Sequence, residues 1–153
     1  MRKFFYSIAI MSMVSAGSVA AQTRSDIEVL RQELRTDRQA VVARNMKMTE
    51  AQATAFWPVY REYQAELTKI GDRAIKLLES YGKQYDTMKD ADAEAMLKDF
   101  LDVREAKVKV QKDYVSKFKK VLPATLVGRY YQIENKIDAI VNLEMAAGIP
   151  LVK

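Results

Sequence analysis

The stretch Met48-Thr49-Glu50-Ala51-Gln52-Ala53-Thr54-Ala55-Phe56-Trp57-Pro58-Val59-Tyr60 decides how this chain folds. Thr49 followed three residues later by Gln52 has the spacing of a capping box. The Thr hydroxyl can accept the Gln52 amide while the Gln52 side chain reaches back to the Thr49 amide. Met48 and Ala53 stand where a hydrophobic staple would close over that cap. From there Phe56, Tyr60, Tyr63, Leu67, Ile70, Ala74, Leu77 and Tyr81 recur at alternating spacings of four and three. That rhythm is an a/d seam along one side of a long helix.

Outward from this segment, three more helices can be read. A first helix is predicted from Ser25 to about Asn45, capped by Ser25, with a thin apolar stripe of Ile27, Leu30, Leu34 and Val41. The second runs from Glu50 to about Tyr81 and closes near Gly82, a suitable residue just past a helix end. Pro58 lies within it and removes the bond to the Thr54 carbonyl; either a kink or a break at Trp57 would accommodate it, and the unbroken seam favours the kink. Asp90, Asp92 and Glu94 mark the start of a third helix reaching about Val121. It carries two neighbouring apolar rows, Leu97-Leu101-Val108-Val115-Leu122 and Phe100-Val103-Val110-Tyr114, which predict packing on more than one neighbour. Pro123 opens a fourth helix with Leu126, Tyr130, Ile133, Ile137 and Ile140, ended by Gly148-Ile149-Pro150. No alternating strand pattern competes. The expected fold is all-α: two long helices in an antiparallel hairpin, braced by shorter N- and C-terminal helices. Leftover seam on so small a chain predicts a homodimer.

The N-terminus carries a different signal. Arg2-Lys3 precede an apolar run from Phe4 to Val14, followed by the small residues around Ser18, Ala20 and Ala21. A basic start, a short apolar middle and a small-x-small end describe a secretory signal peptide over 1–21, cut after Ala20 or Ala21. The run is too short for a membrane span, so residues 22–153 are expected as one exported domain with no span after cleavage. The net charge of +5 would fall to roughly +3 on removal of the two basic residues. The chain has no cysteine and no histidine. No disulfide can staple it, and the soft metal ligands are missing, so no cofactor or metal is expected.

The motif residues Met48, Thr49 and Gln52 resemble the Leu-Thr-x-x-Gln motif of the Spy/CpxP family of bacterial periplasmic proteins. The matching place near the last helix, Leu122-Pro123-Ala124-Thr125-Leu126 followed by Gly128-Arg129-Tyr130-Tyr131-Gln132-Ile133-Glu134, departs from it by lacking Thr and Gln at motif spacing. The resemblance is specific over about fifteen residues around Thr49. It implies a periplasmic helical cradle, usually dimeric, acting as an ATP-independent chaperone for unfolded envelope proteins in the envelope stress response. The alternatives are an inhibitor partner of a membrane stress sensor's periplasmic domain, or a helical assembly factor of the Skp type. Zinc binding, known in some members, is not carried over to a chain without His or Cys.

Candidate client-binding residues follow from chemistry. Phe56, Tyr60 and Tyr63 lie on the seam and read as core; Trp57, beside it, reads equally as core or as surface patch. Arg61, Arg73 and Lys76 on the second helix, with Arg104 and Lys107 on the third, could line a positive face that attracts unfolded segments. Interspersed acids make an ordinary solvated face the plainer reading. Arg129 and Glu134 are expected as anchors between helices. Nucleic acid is a poor fit, since no stacking module is evident. Without His or Cys the usual acid–base and nucleophilic arrangements cannot be built, and no enzyme is expected.

Overall fold

The computed structural model describes residues 37–153. The expected signal peptide and the start of the first helix lie outside them. Four helical segments are present: α1 (described over 37–46), α2 (Glu50–Gln84), α3 (Asp90–Lys119) and α4 (Ala124–Gly148), with no strand among the described residues. The fold is all-α. None of these helices is long and apolar enough to cross a membrane. Residues 41–153 form one compact unit.

The start of α2 follows from its sequence. Thr49 adopts an extended backbone, its Oγ1 accepts the Gln52 amide at 3.3 Å, and the Gln52 side chain accepts the Thr49 amide at 3.0 Å. Two of the first-turn amides thus have partners at once. The residue before the staple is under strain: Lys47 has φ of 48°, the only positive φ at a non-glycine among the described residues. An L-residue is disfavoured there, and the position lets α1 end and the chain turn into the α2 cap. The α1 end has a second closure, because Arg129 Nε of α4 donates to the Asn45 carbonyl at 2.6 Å. A cation on a last-turn carbonyl satisfies an orphan acceptor and suits the helix dipole.

α2 then runs unbroken through Pro58. It also runs through Gly82, correcting the expected stop there. No glycine among the described residues takes a positive φ, and the helix ends at Gln84. The extra turn has a cause: Tyr81 is buried, donates its hydroxyl to the Pro150 carbonyl at 2.7 Å, and packs its ring on Tyr85 at 5.7 Å. α3 begins at Asp90 as expected, with the Asp92 carboxylate accepting the Lys89 amide at 3.2 Å. It ends at Lys119, two residues before the expected stop, and Pro123 stands at the cap of α4 rather than inside it.

α2 and α3 pack along each other, antiparallel, with Lys117 facing Glu62 near one end. α4 returns parallel to α2, touching it through Gln64 and Glu134 and again through Tyr81 and Pro150. The core sits where α1, the first half of α2, the last turns of α3 and the start of α4 meet. It holds Val42, Met46, Phe56, Tyr60, Tyr63, Tyr114, Phe118, Leu122, Val127 and Tyr130. Most of its mass is aromatic, and the rings pack edge-on or tilted at centroid separations such as 4.8 Å for Phe118–Tyr130 and 5.2 Å for Phe56–Tyr130. Such geometry adds about 0.5–1.5 kcal/mol per pair beyond the area buried.

α3 packs on two neighbours as expected, α2 and α4, but not through the whole of its first row. Leu122 joins the core, while Leu97, Leu101 and Val108 are 58%, 53% and 46% exposed, and Phe100 is 46% exposed. The core-facing line is instead Val103, Val110, Tyr114 and Phe118, the side on which α2 lies.

Two consequences can be measured by thermal or urea denaturation. Phe118→Ala should cost about 3–5 kcal/mol, while Phe100→Ala on the exposed row should cost within about 0.5 kcal/mol. At the α1–α2 joint the signs should differ: Thr49→Ala should lower stability by about 1 kcal/mol, and Lys47→Gly should raise it by up to about 1 kcal/mol.

Candidate interaction surface

The residues with unusual environments fall into two groups, one buried and one exposed. The buried group is a polar layer below the aromatic core. Gln64 of α2 points its side-chain amide at the Tyr130 hydroxyl (3.4 Å) and at both carboxylate oxygens of Glu134 (3.4 and 3.5 Å). Glu134 is 2% exposed. Tyr131 donates its hydroxyl to the Gln111 carbonyl of α3 at 2.6 Å, and Lys107 of α3 meets Asp138 of α4 at 2.7 Å. These bonds tie α4 to both long helices, and a buried carboxylate is tolerated only with such partners. The expected anchors thus act as anchors: Arg129 holds α1, and Glu134 holds α2.

The phenols of this layer keep their protons well above the ordinary value of 10.0. Burial pushes Tyr130 up, with the nearby Glu134 charge adding to it. Tyr63 rises for the same first reason, then through Tyr131, Glu134 and Asp138. Burial followed by Glu134 pushes Tyr131 up to about 12.

The exposed group is the outer side of α3. Leu97, Leu101, Arg104 and Val108 follow one another at spacings of four, three and four, and so share a face. Phe100 lies beside them with the Arg104 guanidinium 5.5 Å from its ring centre. A shallow, open depression bordered by Ala91, Glu94, Leu97, Lys98 and Leu101 runs along the same side. A second, between α2 and α3, is bordered by Arg73, Asp102, Glu105, Ala106 and Lys109. Both are surface troughs and suit a flat or extended partner better than an enclosed small molecule.

The residues expected to bind clients are not gathered in one place. Trp57 is half-buried, edge-on to Phe56 (5.1 Å) and Tyr60 (5.2 Å), and packs against the core. Arg61, Arg73 and Lys76 are exposed along α2, with Arg73 in the trough beside Asp102 and Glu105. Lys107 is committed to Asp138 and works as a strut between α3 and α4. Only Arg104 sits on the apolar outer face. Sequence reasoning missed this face as a surface, and missed Phe118 as core. The second had a visible signal, since Val110, Tyr114 and Phe118 recur every four residues.

Two tests follow for the polar layer. Glu134→Ala should cost about 1–3 kcal/mol by stranding Gln64, and Glu134→Gln distinctly less because it can still accept. At high pH the unfolded chain releases its phenolic protons near 10 while the folded chain retains them. The unfolded state then binds fewer protons, so stability is untouched by these groups below pH 10 and falls as pH rises through 10 toward 12. Each buried phenol contributes a slope of up to about 1.4 kcal/mol per pH unit. Denaturation midpoints and tyrosinate absorbance across that range should show part of the tyrosine ionisation appearing only as helix is lost.

Comparison with family models, curated proteins and solved structures finds no match to this chain.

Proposed function

We propose that this protein is an exported, ATP-independent chaperone-like factor that captures apolar segments of partly unfolded envelope proteins on the outer face of α3. The observation that carries the reading is the exposed row of Leu97, Phe100, Leu101 and Val108 within a densely charged helix. An apolar strip framed by charge suits reversible capture. The charges speed encounter, and shallow apolar burial holds the client without enclosing it. The capping-box motif at Met48, Thr49 and Gln52, which resembles that of Spy/CpxP proteins, and the signal-like N-terminus support a place in the bacterial periplasm.

The reading is tested by light scattering of several unrelated denatured proteins diluted into buffer, with and without this protein and without nucleotide. Near-stoichiometric suppression across clients is expected. The double variant Leu97→Ser/Phe100→Ser, which keeps the core intact, should lose most of that suppression with its helical content unchanged. Suppression of no client by folded protein would remove the chaperone reading. Suppression confined to one client would point to a dedicated partner instead.

A further inference from the structure

The segment that follows α4 is fastened to the end of α2 by very few of its own groups. It leaves the helix extended, with Ile149 at φ −99° and ψ 116°. Leu151 is 88% exposed and Val152 58%, so burial of apolar side chains holds little of it. Two polar anchors hold it instead. The Pro150 carbonyl accepts the hydroxyl of buried Tyr81. Three residues later, the Lys153 ammonium stands 4.8 Å from the Tyr85 ring centre and pairs with Asp86.

The three receiving groups belong together. Tyr81 and Tyr85 lie one turn apart at the end of α2, ring against ring. Asp86 follows directly, where the helix dipole already presents its negative end. A carboxylate there, beside the ring of a tyrosine, makes a place for a cation. The Tyr81 hydroxyl supplies a donor for a backbone carbonyl. Neither demand is peculiar to this segment. Any extended chain with a lysine or arginine three residues beyond an unpaired carbonyl meets both.

We propose that Tyr81, Tyr85 and Asp86 form a docking site for an extended basic peptide segment of another protein, and that residues 150–153 of this chain fill it as a displaceable stand-in. The stand-in is helped by its tether, since a segment joined a few residues away competes at an effective concentration of about millimolar. It thereby sets a threshold. A partner segment displaces it by adding contacts of its own or by being held nearby. The site shares no residue with the outer face of α3, so it stands or falls apart from the capture proposed there.

NMR of the tyrosine rings in the full chain tests this, with added peptide of residues 149–153 blocked at both ends. The parent should bind the peptide weakly, with the Tyr81 and Tyr85 signals moving. Lys153→Glu sets a like charge on Asp86 and opens the site without touching the core; it should lower the peptide Kd by at least about threefold. Deletion of residues 150–153 should lower it by about tenfold. In the deleted chain Asp86→Lys should abolish binding, and so should a peptide with glutamate in place of its lysine. Helical content should be unchanged throughout. Equal affinity in the parent, Lys153→Glu and the deleted chain overturns the stand-in. The site itself is overturned if the deleted chain binds no peptide at about 10 mM, or binds it as well after Asp86→Lys.

Discussion

The burial of Tyr130 holds the unit together. Its ring lies against Phe118 of α3 and against Phe56, Tyr60 and Tyr63 of α2, while its hydroxyl reaches Gln64. A smaller or wholly apolar residue could not do both. The ring fills the space between three helices, and the oxygen brings a polar requirement into that space. Gln64 and Glu134 answer that requirement, and once they do, α4 has one place to lie. The parallel run of α4 beside α2, the Lys107–Asp138 strut and the Tyr131–Gln111 bond then fall in line.

That choice of core leaves α3 with an unmatched side. Its inward line is given to α2 and to the aromatic cluster, and α4 leaves its outer side uncovered. In a monomeric protein such a strip is normally small or polar. Here leucine, phenylalanine and valine occupy it, and charge surrounds them. Arg104 shows the compromise at a single residue: its stem and guanidinium cover part of the Phe100 ring while its charge stays wet.

Much of the architecture was legible because the signals were local. The capping box needed only Thr49 and Gln52, and the seam from Phe56 to Tyr81 needed only its period. Gly82 misled for a physical reason: a glycine suits a helix end but does not impose one, and the long-range bond from Tyr81 to Pro150 carries α2 past it. The two apolar rows of α3 were read correctly as rows, yet period alone cannot say which row finds a neighbour. That depends on where α4 lies, which depends on Tyr130 and Glu134. The anchor roles of Arg129 and Glu134 were legible, being a cation and an acid flanking aromatic residues on one helix. The client-binding set was not. Charge on a helix surface is common, and Lys107 belongs to an ion pair 31 residues away in the chain.

The aromatic residues are not spread evenly, and this bears on motion. Phe56, Tyr60, Tyr63, Tyr114, Phe118 and Tyr130 crowd the end of the hairpin where all four helices meet, whereas only Ile70 and Tyr81 are buried along the rest of α2. Cooperativity is therefore graded along the rods. Backbone amides near the α2–α3 loop can open and exchange with solvent in excursions that leave the aromatic end intact, while those around Tyr60 and Tyr114 are released only when the whole unit comes apart. The described unit has a fixed end that stores its stability and a yielding end that can flex without unfolding it.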